Sequence, residues 1–372
     1  MRQKICVWTM AAGLAAAATT EVEAQNANGA PAAAAPGEAA VADATAEAAD
    51  VWYPQSVERR RPPFYPGGTY TRLDYMPLDR AAEPWNLCAV VPPQRFEYFQ
   101  ALAGGLAAEA ARQGVSLELA AVDEFDAEAQ RALLESCLEG EPDALLLAAV
   151  AEDALGAALS RARARDLPVI DMVTGSGDDT ATARIVTDRT GVGRAAGRFL
   201  SERHPAGAET AEVVWLYGPR GSAVARDIDR GFRAGIATGA IEIVYAEAIG
   251  LSDREIRRAI RETVDEVESF DALVGGAKTI QIAAEELAAE FSAGAVELVS
   301  LTLTSSMLAG LEADRVFAAV NDKVVTQGRI AVDLAVRAIE QRPYLVDLRP
   351  NLQIVDRSNV SSFDRGSVLP PE

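Results

Sequence analysis

The chain has 372 residues, 49% of them hydrophobic, which is enough for two lobes of ordinary domain size. Its 55 acidic residues against 35 basic ones leave a formal charge of −20, which repels phosphate backbones and anionic lipid and argues against a nucleic-acid partner. With one histidine, His204, and three cysteines, a His/Cys zinc site fails on ligand count and the Ser-His-Asp and Cys-His nucleophile systems lack parts, so neither an enzyme nor a cofactor is expected.

The N-terminus reads as a signal peptide over residues 1–24. Arg2 and Lys4 supply the positive region, residues 5–18 the apolar stretch, and Val22-Glu23-Ala24 the small-residue cleavage site. No other stretch has the roughly 18 apolar residues that a spanning helix needs. The expectation is export to the periplasm with no membrane insertion after cleavage; a retained N-terminal anchor is the alternative. Residues 25–50 are rich in Ala, Pro and Glu, lack aromatics and read as a disordered linker. Residues 51–84 differ. They hold Trp52, Tyr53, Phe64, Tyr65, Tyr70 and Tyr75 with the basic run Arg59–Arg61, and are expected as an irregular N-terminal arm that covers apolar surface or docks a partner protein.

From residue 86 strands and helices alternate. Strands are expected at 86–91, 116–122, 144–150, 168–172, 184–187, 211–217, 241–248, 272–275, 296–301, 316–320 and 352–355. Helices are expected at 96–113, 127–139, 152–165, 191–204, 222–237, 252–268, 279–291, 305–313 and 323–341. Such units imply parallel sheets with right-handed crossovers and helices on both faces. About a dozen strands exceed what one such sheet comfortably holds, so two lobes are expected.

In open α/β sheets ligands bind beyond the carboxyl ends of strands. After the first parallel strand that position carries Phe96, Tyr98 and Phe99, a local excess in a chain with 6% aromatics. They read as a stacking wall for a small ligand, or, more plainly, as packing under the sheet. The carboxylates Asp123, Glu124, Asp126 and Glu128 lack the glycine hinge of a calcium loop and read as a solvated loop, and the pair Asp178–Asp179 proves little among so many acids. Gly218-Pro219-Arg220-Gly221 matches no phosphate fingerprint and reads as a strand-to-helix turn. Cys88 and Cys137 remain after signal removal. An even pair in an oxidising compartment predicts a disulfide; two buried free thiols are the alternative.

The segments WNLCAVVPPQRFEYF, EAARQGVSLEL, DALLLAAVAEDAL, PVIDMV, YGPRGS…RGFRAGI and AAVNDKVVTQGRIAVDLAVRAIE, in this order over residues 75–356, resemble the type I periplasmic binding proteins. Within that family they resemble the periplasmic sensors of trimethylamine N-oxide that work with a membrane histidine kinase. The resemblance implies an α/β fold of two lobes, each a doubly wound, mostly parallel sheet, with three hinge crossovers near Asp188, Asp322 and Pro350. One lobe would span 85–188 plus 323–349, the other 189–322 plus 350–372. It also implies a ligand set. The family's Asp-x-Tyr-Trp falls on Phe96, Tyr98 and Phe99, a tyrosine on Phe125, a tryptophan on Arg189 and a second tyrosine on Thr302. Asp322 is expected either to cap the following helix or to face the cleft; Gln327 matches a family residue but lies a turn into that helix and is not assigned to ligand.

The changes have a direction. Aromatic faces and a carboxylate hold a trimethylammonium head. Phe96 removes a negative charge and Arg189 adds a positive one, so the expected ligand is a different small solute, with a carboxylate or sulfonate for Arg189 to clamp. A solvent-facing Arg189, or one paired with Asp188 or Asp322, is the alternative. The implied partner is the periplasmic domain of a sensor histidine kinase. A transporter's solute receptor and a ligand-free scaffold for the kinase are the competing functions.

Overall fold

The computed structural model describes residues 51–61, 69–151, 155–176, 181–288 and 296–370. The expected signal peptide and linker, Phe64 and Tyr65 of the arm, Asp178–Asp179 and the end of the helix expected at 279–291 lie outside the described residues.

Eight strands form the first sheet: β1 (Gln55–Arg60), β2 (Tyr70–Tyr75), β3 (Asn86–Val91), β4 (Ser116–Ala121), β5 (Ala144–Leu147), β6 (Val169–Val173), β7 (Ala183–Val186) and β13 (Asp347–Pro350), in the order β2-β1-β13-β7-β6-β5-β3-β4. Six form the second: β8 (Ala211–Tyr217), β9 (Ile241–Ala248), β10 (Ala272–Gly275), β11 (Glu297–Ser300), β12 (Ala318–Asn321) and β14 (Gln353–Asp356), in the order β14-β12-β11-β10-β8-β9. Pairing is parallel except where β1 meets β2 and β13, and where β14 meets β12. The central strands of both sheets are apolar along their length because helices cover both faces: β5 reads ALLL with every residue buried.

The chain passes between the sheets three times. It leaves the first after β7 for helix α4 (Arg189–Arg203), which packs on β12 and β14 of the second. It returns after β12 into helix α9 (Val324–Ile339), which packs on β5, β6 and β7, and crosses last between β13 and β14. Among the described residues the remaining helices are α1 (Glu97–Gln113), α2 (Ala127–Glu139), α3 (Gly156–Ala164), α5 (Ala223–Ile236), α6 (Asp253–Glu266), α7 (Ala277–Glu286) and α8 (Ser305–Glu312).

Two expectations are corrected. Among its described residues the stretch 51–84 is not wholly irregular: β1 and β2 pair antiparallel and extend the first sheet beyond β13. Its strands are polar because one face is solvated, and Val57, the one apolar residue of β1, plugs the core at 1% exposure. The strand β13 itself went unanticipated. Its sequence DLRP buries Leu348 between two charged residues, and partners supplied by β7 and β1 make it a strand.

Cys88 and Cys137 are bonded, joining β3 to α2 across 49 residues of sequence. Helices α1 and α9 approach closely. A Cβ on Gly105 would stand 2.3 Å from the carbonyl oxygen of Val325, which is backbone and cannot rotate away. We expect Gly105→Ala to force the helices apart and to lower stability by about 1–3 kcal/mol, as overpacked cores do, visible as a lower melting temperature.

Candidate functional site

The turn between β3 and α1 places the first aromatics. Pro92 and Pro93 end the strand, and Phe96 takes the N-cap position of α1 with an extended backbone and no side-chain cap bond. Arg95 ties this turn to the loop after β4. It bonds the carbonyl of Asp123 and the carboxylate of Glu124, and lies 4.9 Å over the Phe96 ring. That bridge brings Phe125 alongside. Phe125 lies 5.5 Å from Phe96 and 6.0 Å from Phe99 between ring centroids, and Phe99 lies 5.3 Å from Tyr98. Contacts are edge-on or tilted, as ring quadrupoles prefer. Phe99 is rooted in the core at 8% exposure, while Phe125 remains 39% exposed. The acidic loop is structural: Asp126 caps α2 by accepting from the backbone N–H groups of Glu128 and Ala129.

Tyr98 points its hydroxyl at the second crossover and donates to Asp322 Oδ2 at 2.5 Å. Thr187, at the first crossover, donates to the same oxygen at 2.8 Å. Gln327 Nε2 donates to the Asp322 carbonyl at 2.9 Å and to Thr187 Oγ1 at 3.1 Å. Burial pushes the Asp322 carboxyl above its usual range, against the pull of these donors. Burial and the facing carboxylate push the Tyr98 hydroxyl well above its own. Asp322 is therefore no helix cap. The N-cap of α9 is Lys323, in a left-handed backbone conformation with its N–H held by Asn321 Oδ1 at 2.8 Å.

Arg189 opens α4, and its Nη2 would lie 3.9 Å from a Cβ on Gly175, in the loop after β6. Asp188 caps α4 through Gly191 N–H and pairs with Arg349 at 2.8 Å. Thr302, after β11, is held through its backbone by Ser300 Oγ. The structure thus gathers Phe96, Tyr98, Phe99 and Phe125 into one group with Asp322 bonded to it; Arg189 opens a helix of the second sheet with its guanidinium beside the loop after β6 of the first, and Thr302 follows β11 of the second. Thr187, Gln327 and Glu97 belong to this region and were not assigned from sequence; Glu97 is flanked by Phe96 and Tyr98, which was the available signal. Two surface cavities of about 210 and 530 Å³ lie elsewhere, beside the N-terminal ends of β6 and β11. Their lining residues include none of this group. The strand-end position of the aromatics carries more weight for a ligand site than cavity size.

The turn at Gly218–Gly221 is tied down by Arg220, which bonds Glu247 and the carbonyl of Ala248, as a plain strand-to-helix connection. Among the described residues no group of three or more His, Cys, Asp or Glu could hold a metal ion, and no helix is long and apolar enough to cross a membrane.

Two parallel-dominated sheets joined by three crossovers, with an aromatic group at strand ends beside the crossovers, define a type I periplasmic binding protein. The chain belongs to the periplasmic binding protein family, whose domain model matches residues 88–343. Periplasmic protein TorT of Escherichia coli K12 is 27% identical over 284 residues, which cover 75% of this chain and 80% of its own. An ABC transporter solute-binding protein from Bradyrhizobium sp. BTAi1, crystallised with bis-tris, is similar with a TM-score of 0.80 at 27% identity, covering 86% of this chain and 97% of that one. TorT in complex with the TorS sensor domain, in the absence of ligand, gives 0.72 at 25% identity, covering 79% and 98%.

Proposed function

We propose that this protein is a periplasmic sensor that binds a small solute between its two sheets and passes the state of the cleft to the periplasmic domain of a membrane histidine kinase. The observation that carries the reading is the aromatic group Phe96, Tyr98, Phe99 and Phe125 at the strand ends, tied through Asp322 to the crossovers. A ligand that touches this group touches the hinge, and it acts by its differential affinity for the lobe arrangements. The likeness to TorT in its complex with the TorS sensor domain supports the choice of partner. The role is binding, without bond making or breaking, after export and removal of residues 1–24.

The solute differs from trimethylamine N-oxide. The carboxylates near the aromatics, Asp322 and Glu97, are engaged by protein donors, and Arg189 brings a positive charge. Neither feature welcomes an ammonium head, and the Arg189 guanidinium suits a carboxylate or sulfonate. Isothermal calorimetry of the purified protein with trimethylamine N-oxide is expected to show no heat of binding at micromolar concentrations. Micromolar affinity would overturn this choice of ligand. A transporter's solute receptor is the second reading, favoured by the likeness to the Bradyrhizobium solute-binding protein. A kinase gene beside this one supports the sensor, and a permease gene the receptor.

A further inference from the structure

Glu97 lies in sequence between two members of the aromatic group, and its carboxylate bonds elsewhere. It is the first residue of α1, which packs on the first sheet. Its carboxylate reaches across the cleft to α8, whose Met307, Leu308 and Leu311 are rooted in the core of the second sheet. Oε2 accepts from Ser306 Oγ at 2.7 Å and from Ser306 N–H at 3.1 Å, two residues 209 apart in sequence. Thr304 caps α8 and holds the Ser306 hydroxyl at 3.1 Å, fixing its direction. A helix N-terminus presents unsatisfied N–H groups and a positive dipole end, and here a carboxylate from the opposite lobe fills it.

We propose that Glu97 is a positioning residue: bonded to Ser306, it latches the two lobes together at the cleft and so sets how much of the protein stands ready around the solute. The latch uses only protein atoms, so it favours closure before a solute arrives. It raises solute affinity by enlarging the competent fraction. It also narrows the change that a solute can produce. The inference rests on the two-lobed binding reading but not on the identity of the solute.

The test measures lobe separation without solute. Spin labels on Glu128→Cys and Lys278→Cys mark the first turns of α2 and α7, which follow β4 and β10 on opposite sides of the cleft. Pulsed dipolar distances in the purified, disulfide-intact protein are expected to be short and narrow. Glu97→Ala is expected to shift the distribution to longer distances, with the closed-to-open ratio falling about tenfold, as for loss of a charge-assisted bond. Ser306→Ala is expected to shift it less, because the backbone N–H remains, and to add little on top of Glu97→Ala. Melting temperatures should stay near that of the parent, which separates a latch from a general structural role. Distributions unchanged by both substitutions would overturn the proposal, and Ser306→Ala carries the test alone should Glu97→Ala not fold. The distances are read with no solute present, so a failed latch and a failed choice of ligand are told apart.

Discussion

Glu109→Ala is expected to lower the free energy of unfolding by about 3–5 kcal/mol, read from the urea midpoint, because it breaks a buried charge cluster rather than a surface pair. Glu109 has no exposed surface. Its two oxygens accept from Trp52 Nε1 at 2.8 Å, Gln113 Nε2 at 2.8 Å and Arg112, and lie 3.5 Å from Arg329, itself 2% exposed. Removing the carboxylate strips buried donors of their acceptor and deprives two guanidinium groups of this counter-charge. The loss extends beyond α1. Trp52 belongs to the segment leading into β1, so its bond to Glu109 holds β1 and β2 on the body. A parallel anchor lies on α9, where Asp333 accepts from Tyr75 at 2.5 Å, Leu78 N–H at 2.7 Å and Arg337 at 2.7 Å. Amide exchange in β1 and β2 should therefore quicken in Glu109→Ala beyond the change elsewhere. Trp52→Phe, which removes one neutral donor to a charged acceptor, should cost about 1–3 kcal/mol and leave the cluster charged as before. An unchanged midpoint in Glu109→Ala would mean that water reaches the site and screens it.

The same two strands show where sequence reasoning stops. The parallel strands from Asn86 onward were legible because burial on both faces leaves near-continuous apolar runs such as Leu145, Leu146 and Leu147. The segment Gln55–Arg60, QSVERR, carries no such run. It is a strand because Val57, Glu58 and Arg59 find Pro350, Arg349 and Leu348 opposite, a pairing about 290 residues away in sequence that no local pattern encodes. Site residues divide in the same way. Phe96, Tyr98 and Phe99 were legible because one helix turn sets them side by side. Phe125 joined them through a family resemblance, and its physical cause, the Arg95 bridge to the loop after β4, appears only in three dimensions. Asp322 was half-legible. An acid before a helix reads as a cap, but Asn321 and the left-handed Lys323 take that task, which frees the Asp322 carboxylate for Tyr98 and Thr187. Glu97 and Ser306 stood in view as unremarkable residues, since nothing local says that the two helix starts face each other.

Asp322 carries the second large effect. Its carboxylate is 6% exposed and its Oδ2 receives hydroxyls from Tyr98 and Thr187. Asp322→Ala takes the acceptor from both donors in a part-buried site, leaving Thr187 a long bond to Gln327 Oε1 at 3.4 Å, so we expect a loss of about 1–3 kcal/mol, most of it from the Tyr98 hydroxyl. Asp322→Asn behaves differently, because it keeps an acceptor oxygen and removes the charge. Burial raises the folded-state pKa of Asp322 above its unfolded value. The folded state therefore binds the proton more tightly, and this contribution to stability is fully present below the unfolded pKa and lost as pH rises through the folded pKa. The stability of the parent relative to Asp322→Asn should accordingly fall as pH rises from the ordinary carboxylate range through that raised value, then level off, in urea titrations run side by side. A difference that grows in favour of the parent with rising pH would show that the hydroxyl donors outweigh burial and that the carboxylate is held ionised. The direction matters for the hinge. Tyr98 belongs to α1, Thr187 to the first crossover and Asp322 to the second, so a proton on this one carboxylate changes the bonding of three elements that must move relative to one another when the lobes part. A solute that approaches the Tyr98 ring works against a network whose charge burial disfavours, and its hold on the hinge is set by how readily that carboxylate gives up the tyrosine.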